Sequence, residues 1–249
     1  TECNSVVLTV LGTVGASLQQ VVDSSASGDR TNLQLNAIGN TATGAARNLT
    51  TVAVQPSITT ALSVPRRAAT INLGFKVAYA NCQVSIQNIS PSTTYIDIYE
   101  CIAASNITDS NYSSAKAAWV LCASLATGDF TGSAATLATT TAGATPYQAP
   151  QFFKYWKIIK KTRILLSALE ITNYLYRCKK NIWVSKNVQD GRYATKGITK
   201  DLIIVANPTY NSDTTAVNQI NIEWCKTYGM KFPDMQGIQT QLSTQFTYA

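Results

Sequence analysis

The sequence predicts an all-β fold, and three observations carry that prediction. Charged residues make up only 13% of the 249-residue chain, about half the usual share, so Ser, Thr, Asn, Gln and Ala must cover much of the surface. Apolar residues recur in short alternating or continuous runs of strand length, set apart by Gly-, Ser-, Asn- and Pro-containing turns. The longest such run, Phe152 to Leu166, contains neither Gly nor Pro, and each of its residues favours or tolerates a strand.

Taken in order, residues 1–66 alternate apolar runs (Val6 to Leu11, Leu33 to Ile38, Thr51 to Val54) with turns, and Val14 to Val22 admits a short helix. From Ala69 to Tyr79 the odd positions are all apolar (Ala69, Ile71, Leu73, Phe75, Val77, Tyr79), which predicts a strand with that face in the core. Gln83 to Asn88 and Thr93 to Ala103, separated by Ile89-Ser90-Pro91-Ser92, read as a hairpin. Residues 104–144 are rich in Ser, Thr, Ala, Gly and Asn around Trp119 and read as an elaborated surface loop.

Phe152 to Leu166 reads as one long half-buried strand. Its even positions (Trp156, Ile158, Lys160, Thr162, Ile164, Leu166) form the mostly apolar face; Lys157, Lys161 and Arg163 share the other. Glu170 to Val184 is β-rich and carries Arg177, Lys179 and Lys180. Asp201 to Ala206, an apolar run stopped by Asn207-Pro208, looks like a strand covered on both faces. Val217 to Met230 supplies the last strand, with Ile220, Ile222 and Trp224 on one side. About eight strands, long loops and little helix predict a two-sheet sandwich, of which the jelly roll is the eight-stranded version. The chain divides into an N-terminal extension with the first strands (1–64), a core (65–230) holding the 104–144 loop, and a C-terminal tail (231–249).

Charge is concentrated in one segment. Residues 151–200 hold twelve Lys or Arg against Glu170 and Asp190, whereas the whole chain nets only +7. Clustered cations bind phosphates by counterion release without reading sequence. Tyr155, Trp156, Tyr174, Tyr176, Trp183 and Tyr193 lie among them as candidate base-stacking rings, although half of them should face the core, Trp156 and Trp183 foremost. The nucleic-acid-binding candidates are Lys154, Lys157, Lys160, Lys161, Arg163, Arg177, Lys179 and Lys180, with Arg66 and Arg67; Lys157, Lys161 and Arg163 form the leading group.

Several chemistries lack their residues. There is no histidine, the most frequent general base near neutral pH and the commonest metal ligand. The six cysteines are far apart without a Cys-x-x-Cys pair, which argues against zinc and for buried free thiols. Asp97 and Glu100, three residues apart on a strand, point to opposite faces and do not make a glycosidase pair. Asp23 to Asp29 lacks the closing Glu of a calcium loop. Asn48, Asn88, Asn106 and Asn111 head Asn-x-Ser/Thr sequons that chance explains in so Asn- and Thr-rich a chain. No nucleotide-binding glycine motif, cofactor site or span-length apolar stretch is present, and the expectation is a non-enzyme with no cofactor, metal or membrane partner.

The order of features resembles the single jelly-roll capsid proteins of circular Rep-encoding single-stranded DNA (CRESS-DNA) viruses and their satellite-virus-like relatives. Four pieces over roughly residues 65–230 carry the resemblance. They are Asn88-Ile89-Ser90 followed by Thr94-Tyr95-Ile96-Asp97-Ile98-Tyr99; a loop with Trp119; Thr145-Pro146-Tyr147 before Phe153 to Lys157 and the Lys160 to Leu166 strand; and Lys196-Gly197-Ile198-Thr199 before Leu202 to Ala206. This chain departs from the family in having Ala168-Leu169-Glu170 where a Pro-Gly-Glu-like turn is common. It also has no basic residue in 1–29, where members usually carry an Arg/Lys-rich arm. The resemblance implies a virion protein that self-assembles as a homo-oligomeric icosahedral shell around a single-stranded DNA genome. Two other readings fit the residues: a carbohydrate-binding β-sandwich module, and a free-standing single-strand nucleic-acid-binding protein.

Overall fold

The computed structural model describes residues 2–13, 16–18, 20–21, 33, 35, 75–125, 139, 141–149, 151–178, 182–184, 193–207 and 217–231. Ten strands lie within them: β1 (Glu2–Thr13), β2 (Ala16–Leu18), β3 (Gln20–Val21), β4 (Phe75–Asn88), β5 (Thr94–Ala103), β6 (Trp156–Leu166), β7 (Ile171–Cys178), β8 (Ile182–Val184), β9 (Lys200–Asn207) and β10 (Val217–Lys231). The fold is all-β with little helix. One sheet has six strands in the order β2-β1-β10-β4-β7, with β8 also on β4; the other has four, β3-β9-β5-β6. All pairings are antiparallel.

The sheets face each other across a core to which both contribute. Val84, Ile86, Tyr174, Tyr176, Ile220, Ile222 and Trp224 from one meet Ile96, Ile98, Leu166, Leu202, Ile204 and Ala206 from the other. A second apolar layer covers part of the opposite face of the four-stranded sheet. There helix α1 (Ala115–Leu125) places Ala118, Trp119 and Cys122 against Tyr99, Cys101, Trp156, Ile203 and Val205. Covered on both sides, β9 is buried from Asp201 to Ala206, which is why its sequence does not alternate.

Helix α1 forms where a loop is expected. Its sequence is Ala-rich, and first-turn amides that have no partner within the helix are satisfied from outside it: Ser114 Oγ accepts from the Ala117 amide at 3.0 Å, and Asp201 Oδ2 accepts from Ala115 at 2.6 Å. The Asp201 carboxylate is buried, and a helix N-terminus is a favourable place for that negative charge.

Other expectations are corrected. Ala16–Leu18 and Gln20–Val21 are strands rather than helix. β4 and β5 are not a hairpin, because they pair in different sheets and the 89–93 connection crosses between them. β4 is one strand of 14 residues, and Tyr79 is exposed, with Ala80, Cys82, Val84 and Ile86 facing the core instead. The register slips by one residue between Tyr79 and Val77, which breaks the alternation on which the odd-face prediction rested. Among the cysteines, Cys82, Cys101, Cys122 and Cys178 are buried free thiols, whereas Cys225 is disulfide-bonded; the β1–β10 ladder sets Cys3 opposite it.

Candidate nucleic-acid interface on an edge strand

Among the described residues strand β6 is the edge of the four-stranded sheet and pairs only with β5. The chain enters it from one helical turn, Phe152–Tyr155, instead of extending from Phe152. The ladder sets Leu166, Ile164 and Thr162 opposite Thr94, Ile96 and Ile98, and Lys160 opposite Glu100. It then skips Ile159 and continues with Ile158 opposite Cys101, Lys157 opposite Ile102 and Trp156 opposite Ala103. This is a β-bulge, and it exchanges the faces of everything before it.

Burial supplies its cause. Leu166 and Ile164 pack between the sheets, whereas Trp156 and Ile158 pack beneath α1. Strict alternation would put all four on one face. Burying a large apolar side chain contributes about 1.5–3 kcal/mol, so placing both groups in cores outweighs one lost ladder pairing of roughly 1 kcal/mol. Trp156 further donates Nε1–H to the Tyr112 carbonyl at 3.0 Å.

The consequence for the basic group is direct. Lys161 and Arg163 lie on the outer face with Leu165, while Lys157 and Lys160 lie on the opposite face. The expected trio of Lys157, Lys161 and Arg163 is therefore not on one face. Arg177 stands elsewhere, exposed on the six-stranded sheet. Lys154 is exposed on the helical turn before β6. Lys179, Lys180, Arg66 and Arg67 lie outside the described residues.

The cations also differ in how far their charge is already matched. Arg163 donates from Nε to Asp97 Oδ1 at 2.7 Å and from Nη2 to Asp97 Oδ2 at 2.8 Å, a two-pronged ion pair. Asn207 Nδ2 donates to the same carboxylate at 3.2 Å. Burial alone would push the Asp97 carboxyl up, but the Arg163 hydrogen bonds, the Lys161 and Arg163 charges and the Asn207 bond outweigh it and hold it below its ordinary value. Lys160 accompanies Tyr174 and Glu100: its Nζ is 3.3 Å from the Tyr174 hydroxyl and 3.7 Å from Glu100 Oε1, and Tyr174 donates to Glu100. The hydrogen bond to Tyr174, with Glu100 nearby, raises the Lys160 ammonium. Asp97 and Glu100 do point to opposite faces. Lys161, by contrast, makes no ion pair among the described residues; it sits 5.3 Å from the Tyr99 ring centroid, a cation–π contact that leaves its net charge in place.

The rings expected to stack bases are mostly interior. Trp156, Tyr174 and Tyr176 are buried, Tyr155 lies face to face with Tyr112 at 3.7 Å, Tyr193 is half-buried, and the Trp183 side chain lies outside those described. Among the described residues the exposed rings are Tyr79, Tyr95, Tyr147 and Phe153. Tyr147 meets Tyr99 edge-on at 6.1 Å, and Phe153 lies 6.1 Å from Tyr147. Lys161 thus reaches, through Tyr99, an exposed aromatic pair that charge counting missed, whereas Lys154, next to Phe153 in sequence, has its Nζ 5.6 Å from the Tyr155 ring centroid. A readable signal was Thr145-Pro146-Tyr147-Gln148, a Thr-x-x-Gln pattern in which Gln148 Oε1 accepts from the Thr145 amide at 2.8 Å and fixes the 3-10 turn presenting Tyr147.

No family model and no curated protein matches the chain. Among solved structures it is similar to a chain from Red Clover Necrotic Mosaic Virus, at 8% identity and a TM-score of 0.29. The alignment spans 93% of this chain and 55% of that one, so this chain spans about half the length of that neighbour. Among the described residues no three Cys, Asp or Glu side chains gather where a metal would bind, and no helix is long and apolar enough to cross a membrane.

Proposed function

We propose that this chain is a viral capsid subunit, a jelly roll that assembles with copies of itself into a closed icosahedral shell around single-stranded DNA. Strand order is the observation that carries the reading. Setting aside the three-residue β2 and β8, the order β1-β10-β4-β7 faces β3-β9-β5-β6, so successive strands roll between two four-stranded sheets. That order supports a jelly roll, an architecture shared by capsid and lectin domains. Because fold alone does not assign function, the surface has to choose between them.

The surface favours assembly. Ile159, Leu165, Leu169, Ile171 and Leu175 are all exposed along β6, β7 and the turn between them, large apolar side chains on the edge strands of both sheets that call for a partner. On the outer face Lys161, near Tyr147 by way of Tyr99, and on the helical turn before β6 the exposed Lys154, next in sequence to the exposed Phe153, combine cations outside any ion pair among the described residues with accessible rings, as single-strand binders do. Arg163, on the same face but paired with Asp97, belongs to the proposed contact in a secondary role, whereas Lys157 and Lys160 on the opposite face and Arg177 on the other sheet lie off it. DNA rather than RNA rests on the family resemblance. The reading places the protein in the virion and gives no residue a catalytic task.

The Tyr147–Phe153 pair also favours the carbohydrate-binding reading, in which sugars stack on exposed rings. Negative-stain electron microscopy of the purified chain, with its 260/280 nm absorbance ratio, separates the two. Round uniform shells with a nucleic-acid-like ratio are expected. A monomer with a protein-like ratio overturns the capsid reading in favour of the sugar-binding one.

A further inference from the structure

Resting on the assembly reading above, we propose that subunits join through a heterologous contact. The β6–β7 turn of one copy seats in a groove on the outer face of the six-stranded sheet of the next.

The turn runs Ser167-Ala168-Leu169-Glu170, closed by the Glu170 amide on the Ser167 carbonyl at 3.2 Å. Leu169 holds φ at 61°, the non-glycine residue with positive φ among those described. At the third position of such a turn a β-carbon is disfavoured and glycine is the ordinary occupant. Leu169 is also 69% exposed, the most exposed of the large apolar side chains described. Backbone and solvent both disfavour leucine here, and the folded subunit alone gains nothing from it. An apolar contact outside the subunit accounts for both.

The turn is held rigidly. Asn88, fully buried, donates from Nδ2 to the carbonyls of Ser92, Leu166 and Ser167 at 2.6, 3.3 and 3.0 Å and accepts from the Ser90 amide at 3.0 Å. Glu170 Oε2 accepts from the Ser167 amide at 2.7 Å. The tip therefore presents a fixed apolar knob beside a fixed carboxylate.

A matching receptor lies on the same molecule. A groove of about 610 Å³ is walled by Tyr79 and Leu175 and edged by Asn81, Gln83 and Arg177. The Tyr79 ring lies across Gly229, where an added β-carbon would fall 2.2 Å from it. Arg177 is exposed, and among the described residues its guanidinium has no carboxylate partner. Apolar walls suit Leu169, and Arg177 suits Glu170. The two surfaces cannot meet within one chain. Leu169 and Arg177 are separated by the length of β7, roughly 25 Å at about 3.3 Å per residue. A contact between two different patches propagates from copy to copy until it closes, as a shell requires.

The test measures assembled fraction against concentration by sedimentation velocity for the full chain, Leu169→Gly, Arg177→Glu, Glu170→Arg and the Glu170→Arg/Arg177→Glu pair, with melting temperature as the fold control. Leu169→Gly should melt no lower than the parent while raising the concentration needed for assembly roughly tenfold or more. Each single charge reversal should do likewise, and the double reversal should recover most of the loss. A parent that assembles alongside a Leu169→Gly variant that assembles equally well overturns this contact and leaves the capsid reading standing. So does Arg177→Glu assembling like the parent, or a folded double reversal that fails to recover. A parent that stays monomeric overturns both. If Glu170→Arg alone melts early, Leu169→Gly and Arg177→Glu decide the matter.

Discussion

Replacing Lys154 and Lys161 together by Ser, with Lys157→Ser as a matched control, tests whether the outer face of β6 carries the proposed nucleic-acid contact. For single strands, log K falls by about 0.7 per unit of log salt for each phosphate neutralised. Two unmatched lysines therefore account for about 1.4 units of slope, or about sevenfold in relative affinity between about 50 and 200 mM salt. Arg163 should contribute less than one phosphate, because in the free protein Asp97 already takes both prongs of its guanidinium. Lys157 projects from the other face and should leave the slope unchanged. Fluorescence anisotropy with a labelled oligonucleotide, titrated across a salt series, reads these slopes directly. Lys157→Ser flattening the slope as much as Lys161→Ser would falsify the face assignment, since it would mean that the strand runs along the β6 edge and touches both faces.

Asn88→Ala should destabilise the fold by roughly 2–4 kcal/mol in urea unfolding, because the bonds of its two N–H donors and its carbonyl acceptor, about 0.5–1.5 kcal/mol each, are lost together; a change within about 0.5 kcal/mol would mean that water replaces the amide. Asp97 has a folded value below its unfolded one, so its contribution is fully present above the unfolded value and lost as pH falls through the folded value. Asp97→Asn should accordingly lower stability at pH 7 and flatten the loss below about pH 4, and an unaltered acid limb would show that other carboxylates govern it. Burial pushes the Cys82 thiol up to about 12 and raises Cys101 well above its ordinary value. Neither should react with a thiol reagent at pH 8 until denaturant is added, and rapid native labelling of either would contradict the packing described.

Periodicity made some of this fold legible. Ile220, Ile222 and Trp224 alternate into the core as their spacing requires, and the unbroken apolar run of β9 correctly announces cover on both faces. What stays hidden is one-residue slippage. Nothing in Ile158-Ile159-Lys160 says which of two isoleucines will be left out of the ladder; the choice depends on α1, more than thirty residues earlier, offering Trp156 a second core. The same kind of slip near Ala78 sends Tyr79 outward. Partnership is equally opaque. Arg163 and Lys161 look alike in a charge count, but the ladder sets Asp97 opposite one and Tyr99 opposite the other. The departure at Ala168-Leu169-Glu170 was visible in the sequence, yet its meaning required the backbone angle and the exposure together.

The bulge at Ile159 links these observations, because it decides what the basic segment can do. Without it, Lys157, Lys161 and Arg163 would form one row, and Trp156 would compete with Leu166 for the inter-sheet core. With it, the strand closes two cores at once, and its cations divide between faces. The segment's net charge then acts as a patch only at long range, where individual positions blur within a Debye length of about 8–10 Å. At contact distance the faces separate into distinct surfaces, and Lys161, with the Tyr147 and Phe153 rings reached through Tyr99, stands exposed and outside any ion pair among the described residues. A segment selected only for total charge would not need Asp97 and Glu100 as counter-ions beneath two of its cations. Their presence ties Arg163 and Lys160 first to the sandwich, and leaves the remaining lysines for a partner.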